Sequence, residues 1–183
     1  MFILVRHAHA GDKRQWTGAD SNRPLSERGR QQAEGLAHNL SGLDTPRLIS
    51  SPFLRCQQTL RPLAARSPRP IETSRLLSPD ARPGELHEFL ADPDLEGAVL
   101  CTHGETLSAL IRRWREKDGV TFSVDGPRSD RPLTGKNATE KGAAWIVVDD
   151  DTGRSAHYLS PLHVGPVLGP SSERLTEPSQ ARR

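Results

Sequence analysis

Phe2-Ile3-Leu4-Val5-Arg6-His7-Ala8-His9-Ala10-Gly11 is the stretch whose reading decides the fold. Four apolar residues run without a polar interruption, as in a strand buried on both faces of a sheet clad in helices. The run then stops at an arginine and a histidine and gives way to a polar, glycine-containing segment that reaches Arg23. Open α/β sheets bind their ligands beyond the carboxyl ends of their strands, so charge and imidazole here mark a place for chemistry.

The same unit recurs outward from this strand. Pro24-Leu25-Ser26 sets up a helix with Ser26 as N-cap and Glu27 in the first turn; Ala33, Leu36, Ala37 and Leu40 share one face. Residues 47–49 read as a second strand, followed by Ser50-Ser51-Pro52. Pro52 suits a first helical position, and Phe53, Gln57, Leu60 and Ala64 carry the next helix. Residues 71–73 form a third strand and 85–91 a short helix. Residues 97–101 are the strongest buried strand, with a helix over 105–114. Strands over 143–148 and 154–159 pair through turn chemistry at 149–153. Strands alternating with helices predict a three-layer α/β/α sandwich with a mostly parallel sheet. One domain spans 1–164. Residues 117–141 are polar, punctuated by Gly and Pro, and read as a long loop without regular structure; 165–183 read as a disordered tail.

Composition narrows the function. The chain has 183 residues, of which 34% are hydrophobic, enough for a core. No apolar run is long enough to span a membrane, and the N-terminus lacks the charged and apolar regions of a signal peptide. A net charge of +2 is too small for a nucleic-acid surface. Two cysteines, Cys56 and Cys101, fit a reducing cytoplasm.

Three strand ends carry similar equipment: Arg6-His7, then Ser50-Ser51-Pro52-Phe53-Leu54-Arg55, then Thr102-His103-Gly104-Glu105. Two arginines and two histidines therefore converge on one sheet edge, beside helix N-termini whose free N–H groups favour anions. Arginine forks match phosphate oxygens in pairs, and an imidazole supplies a nucleophile. The constellation is a phosphate pocket.

RHAHAG, PLSERGRQQA, SSPFLRCQQT, CTHGET and NATEKGAAWIVV, in that order, resemble the histidine phosphatase superfamily, the phosphoglycerate mutase-like group. The resemblance implies a metal-independent phosphohydrolase without a cofactor. It assigns His7 as the nucleophile that becomes phosphohistidine. Arg6, Arg55 and His103 would hold the phosphoryl oxygens, helped by backbone N–H groups near Gly104. The short chain also looks like the small bacterial phosphohistidine phosphatases. RHAHAG…PLSERG with LTGKNATEKGAAW resembles the phosphatase-like domain attached to certain bacterial Nudix hydrolases, which makes association with such a domain an expectation. No Nudix box occurs here.

Two departures matter. Ala8 stands where the family most often has Gly, and its methyl group is small enough to fit. Many members also carry a glutamate proton donor after the third strand, and none occupies that slot here. Asp80 and Glu85 are the nearest candidate donors, with Glu88 beyond them. A weak acid hurts most when the leaving group is an alkoxide. The expected substrate is therefore a phosphohistidine protein or a phosphoanhydride such as a nucleotide, rather than a sugar phosphate. The rival reading is a regulatory domain of the same fold that binds phosphate but turns over weakly.

His9 forms an H-x-H pair with His7, but a metal site needs a third ligand, and none is in sight. Neither cysteine has the arginine six residues on that a cysteine-dependent phosphatase loop requires, so both read as small buried residues. Gly135-Lys136 lacks the first glycine of a P-loop, because Asp130 stands there. Arg128, Arg131 and Lys136 are solvated charges, or else a means of attracting polyanionic substrates. His38, His87, His157 and His163 read as surface or packing residues.

Overall fold

The computed structural model describes residues 1–66, 69–124 and 139–161. The chain runs β1 (Phe2–Arg6), α1 (Glu27–Asn39), β2 (Leu48–Ser50), α2 (Leu54–Arg66), β3 (Ile71–Thr73), α3 (Pro83–Phe89), β4 (Val99–Thr102), α4 (Gly104–Lys117), β5 (Thr121–Val124), β6 (Ala144–Asp150) and β7 (Gly153–Leu159), with short 3-10 turns between. The strands form one seven-stranded sheet in the order β3-β2-β4-β1-β6-β7-β5. β3 with β2, β2 with β4, β4 with β1 and β5 with β7 pair in parallel; β1 with β6 and β6 with β7 are antiparallel. The sheet is mostly parallel, as the alternating pattern predicts.

β1 shows why its sequence is continuously apolar. Ile3 and Val5 face one helical layer together with Leu36, Leu40, Leu60 and Leu63 from α1 and α2. Phe2 and Leu4 face the other, with Leu86 of α3 and Leu107, Leu110 and Trp114 of α4. Successive strand side chains point to opposite faces, so a strand covered on both sides needs apolar residues throughout. The result is the expected three-layer sandwich, with β1 and β4 at its centre.

Three local expectations are corrected. α2 begins at Leu54, two residues beyond Pro52. Its buried face is Arg55, Cys56, Thr59, Leu60 and Leu63, so Phe53, Gln57 and Ala64 sit at the margin. The segment read as an unstructured loop from 117 contains β5. Four residues with a single alternation carry too little pattern to announce a strand. Pairing with β7 and packing of Phe122 against Trp145 (5.6 Å between ring centroids) and under the Arg115 guanidinium (4.8 Å) hold it in place. The remainder of that segment, including Arg128, Arg131 and Lys136, lies outside the described residues, as do His163 and the C-terminal tail.

Candidate active site

The site is assembled at the carboxyl ends of β1, β2 and β4. The His7 N–H donates to the Thr102 carbonyl at 2.9 Å, which carries the β1–β4 ladder one residue past the strand and fixes the histidine backbone. His7 is buried. Its Nδ1 lies 2.8 Å from the Ala8 carbonyl oxygen and donates to it, so the proton sits on Nδ1 and Nε2 is left as the acceptor. That nitrogen faces the cluster, where Arg55 Nε approaches to 3.3 Å.

Arg55 is 3% exposed and is held from several sides. Its Nη1 donates to the Asp20 carbonyl at 2.7 Å, and its Nη2 lies 3.2 Å from both the Asp20 carboxylate and His103 Nδ1. Its guanidinium also lies over the Phe53 ring at 4.7 Å. His103 caps the N-terminus of α4. Its Nε2 donates to Ser51 Oγ at 2.9 Å, leaving Nδ1 as the nitrogen that faces Arg55. The two imidazoles meet edge to face with centroids 5.2 Å apart.

Arg6 completes the ring. One of its terminal nitrogens donates to the Thr139 carbonyl, and its Nε is buried without a hydrogen-bond partner among the described residues. The guanidinium lies directly on Gly104: a Cβ there would come within 2.6 Å of Arg6 Cζ. Glycine at this position is therefore a requirement of close approach, and it brings the α4 N-terminus up to the arginine.

Charge and burial set the protonation states. Burial, then the charges of Arg55, Arg6 and Lys141, push His7 down to about 3. Burial, then His7 and Arg55, push His103 down to about 2. Both rings are neutral at pH 7, as an imidazole nucleophile must be. Burial lowers Arg55 and Arg6 as well, while Asp20 acts to raise the first and Glu105 the second. Burial works to raise the Asp20 carboxyl, but the Arg23 hydrogen bond and the charges of Arg55, Arg23 and Lys13 hold it below the usual range.

The structure thus brings together His7, Arg6, Arg55, His103 and Gly104. Among the described residues no hydrogen bond or ion pair joins the candidate proton donors to them. Glu85 is exposed at the start of α3 and pairs with Arg82 at 3.2 Å, and Asp80 is exposed in the turn before that helix. The carboxylate that does reach the cluster is Asp20, which sequence reasoning missed inside a polar loop with no spacing signal. Lys141 was also passed over, although it lies within the NATEKG motif. His9 is committed to scaffolding, its Nδ1 2.7 Å from Ser26 Oγ. Among the described residues no cluster of three or more metal-binding side chains occurs. Cys56 and Cys101 are fully buried, with the Cys101 thiol pushed well up by burial and by Cys56.

Comparison with known proteins matches this site to a family. Residues 2–78, which include His7 and Arg55, match the model of the histidine phosphatase superfamily, branch 1. The likeness to the histidine phosphatase superfamily thus spans β1 to the turn after β3. It is 34% identical over 166 residues to the 8-oxo-(d)GTP phosphatase of Mycolicibacterium smegmatis, a match covering 87% of this chain and 48% of that one. It is 41% identical over 73 residues to the 55 kDa subunit of transcription factor tau of Saccharomyces cerevisiae, covering 37% of this chain and 17% of that one. The chain therefore spans about half, or less, of the length of these curated relatives. Its fold matches that of the protein histidine phosphatase SixA, solved with tungstate, at a TM-score of 0.64, with 22% identity and coverage of 87% and 96% of the two chains.

Proposed function

We propose that this chain is a metal-independent phosphohydrolase of the histidine phosphatase type that forms a phosphohistidine on His7. The observation that carries this reading is the His7 ring itself: buried, neutral, with Nδ1 tied to a carbonyl, Nε2 set against Arg55 and the His103 ring beside it. A phosphoryl group placed there would meet the forks of Arg55 and Arg6, including the Arg6 Nε that lacks a partner among the described residues.

The chemistry then needs little beyond position and charge. The Nε2 lone pair forms an N–P bond while the bond to the leaving group breaks, and the leaving group departs with the electron pair. Water then attacks the phosphorus; the N–P bond breaks, inorganic phosphate leaves, and His7 regains its lone pair. The incoming dianion also favours protonation of His103 Nδ1, which turns that ring into a donor to the transferred group.

Leaving groups that depart without strong acid assistance suit this site best, because Asp80 and Glu85 are both exposed and Glu85 is paired with Arg82. A phosphohistidine protein and a nucleotide or other phosphoanhydride meet that condition. The mycolicibacterial relative's name adds support for a nucleotide, and a partner domain of the Nudix type fits a relative about twice this chain's length. The yeast relative, a transcription factor subunit, favours the second reading, a phosphate-binding domain of the same fold with weak turnover.

Hydrolysis of p-nitrophenyl phosphate in EDTA separates the two. The phosphohydrolase reading expects activity that survives chelation and is lost, by at least about a thousandfold, in His7→Ala. Wild-type inactivity on this activated ester, with oxyanion binding intact, would favour the binding domain.

A further inference from the structure

The loop between β1 and α1 does more than cover the nucleophile. Trp16 is the large hydrophobic side chain left exposed among the described residues, at 38%. It is not loosely tethered: its Nε1 donates to the Ala19 carbonyl at 3.0 Å, and the backbone at Gly18 passes so close that a Cβ there would touch the indole at 3.2 Å. Beside the ring is an open pocket of about 230 Å³ with apolar walls from Ala10, Pro24 and Leu25 and a polar rim that includes Arg23 and Gln15. The volume is short of the roughly 300–1,000 Å³ that encloses a whole small ligand and suits a single planar ring system.

The pocket is joined to the phosphate site by a continuous chain of contacts. His7 Nε2 meets Arg55 at 3.3 Å, Arg55 meets the Asp20 carboxylate at 3.2 Å, and Asp20 meets Arg23 Nε at 2.9 Å. Arg23 in turn lines the pocket and donates to the Ala10 carbonyl at 2.6 Å. Lys141 lies in the same field, near enough to Arg6, Arg23, Arg28 and Asp12 for their charges to act on it. Cations thus lead from His7 towards an aromatic shelf.

We infer that the Trp16 pocket is the base subsite of a nucleoside polyphosphate, whose terminal phosphate sits on His7 and whose remaining phosphates pass Arg23 and Lys141. An indole face stacks on any nucleobase, while the cations bind the connecting charges. This rests on the phosphohydrolase reading above and narrows its substrate class to nucleotides.

The test compares GTP and ATP with inorganic tripolyphosphate, which has the same phosphates and no base, in wild type, Trp16→Ala and Trp16→Phe. Wild type should favour the nucleotides by at least tenfold in kcat/KM. Trp16→Ala should lose at least tenfold more on nucleotides than on tripolyphosphate, chiefly in KM, and Trp16→Phe should retain most of the preference. Equal use of tripolyphosphate and nucleotide, or equal losses on both, would overturn the inference, as would turnover confined to a phosphohistidine peptide. A binding assay separates failure of the subsite from failure of the catalytic reading. Trp114 and Trp145 are buried, so quenching by a β,γ-imido GTP analogue reports on Trp16. In His7→Ala, saturable quenching that tripolyphosphate does not reproduce supports the subsite, and its absence overturns it.

Discussion

At the scale of single residues, the site depends on atoms brought unusually close. Gly104 is the clearest case, because any side chain there collides with the Arg6 guanidinium. Gly104→Ala should displace Arg6 and reduce kcat/KM for an aryl phosphate by roughly tenfold to a hundredfold, corresponding to the loss of a charge-assisted contact. Circular dichroism should show the fold intact. A variant with wild-type kinetics would mean that Arg6 does not act on the phosphoryl group. The depressed His7 makes a second prediction. Its pKa of about 3 leaves the proposed nucleophile unprotonated through the mildly acidic range. The acid limb of kcat/KM, corrected for ionisation of the substrate, should therefore lie below about pH 5. A limb near 6.5 would show an ordinary, solvated histidine.

At the scale of elements, the PLSERG motif is a clamp on the loop that follows His7. Ser26 Oγ accepts from the Gly29 N–H at 3.2 Å as the N-cap of α1 and donates to the His9 carbonyl at 3.1 Å. The Ser26 N–H donates to that same carbonyl at 2.9 Å, and Gln32 Oε1 receives the His9 N–H at 2.9 Å. Gly29 lies so close that a Cβ would collide with the His9 carbonyl oxygen. Ser26→Ala should cost about 1 kcal/mol, as an N-cap usually does. Gly29→Ala should cost more, roughly 2 kcal/mol or above, because backbone must move. Urea unfolding of the two variants checks the order; a Gly29→Ala protein as stable as wild type would show that α1 does not bear on the loop. Ala8 fits for a related reason. Its methyl packs in a small cluster with Ala10, Leu25 and Ala33, while its N–H donates to Thr59 Oγ1 at 3.0 Å.

At the scale of the whole molecule, two buried imidazoles tie stability to pH. The folded pKa values of His7 and His103, about 3 and 2, lie below the ordinary 6.5. Between those limits the unfolded chain binds more protons than the folded one, so stability is fully present above about pH 6.5 and is lost as pH falls towards 3. Urea midpoints should decline over that window, and the His7→Asn, His103→Asn double variant should show a flatter profile. A double variant that declines as steeply would place the acid sensitivity elsewhere.

Much of this molecule was legible in its sequence because the informative patterns are strong. The unbroken runs of β1 and β4 announce strands buried on both faces, and the charged residues that end them announce the site edge. Ser26 as N-cap and the hairpin at 149–153 follow from local chemistry; there Asp150 Oδ1 receives the Thr152 N–H at 2.8 Å and Gly153 takes a φ of +117°. β5 was illegible because tertiary pairing, not local pattern, makes it a strand. Asp20 was illegible because its importance lies in Arg55, 35 residues away in the chain. Trp16 gave no signal as a single aromatic in a polar loop. Its meaning depends on the walls that the fold places around it.

The central claim is that His7 carries the phosphoryl group. Rapid quenching of the wild-type protein with labelled substrate, in EDTA, should trap a phosphoenzyme that survives alkali, is lost in acid, and maps to the peptide containing His7; His7→Ala should trap none. Turnover without such an intermediate, or label on any other residue, would contradict the account.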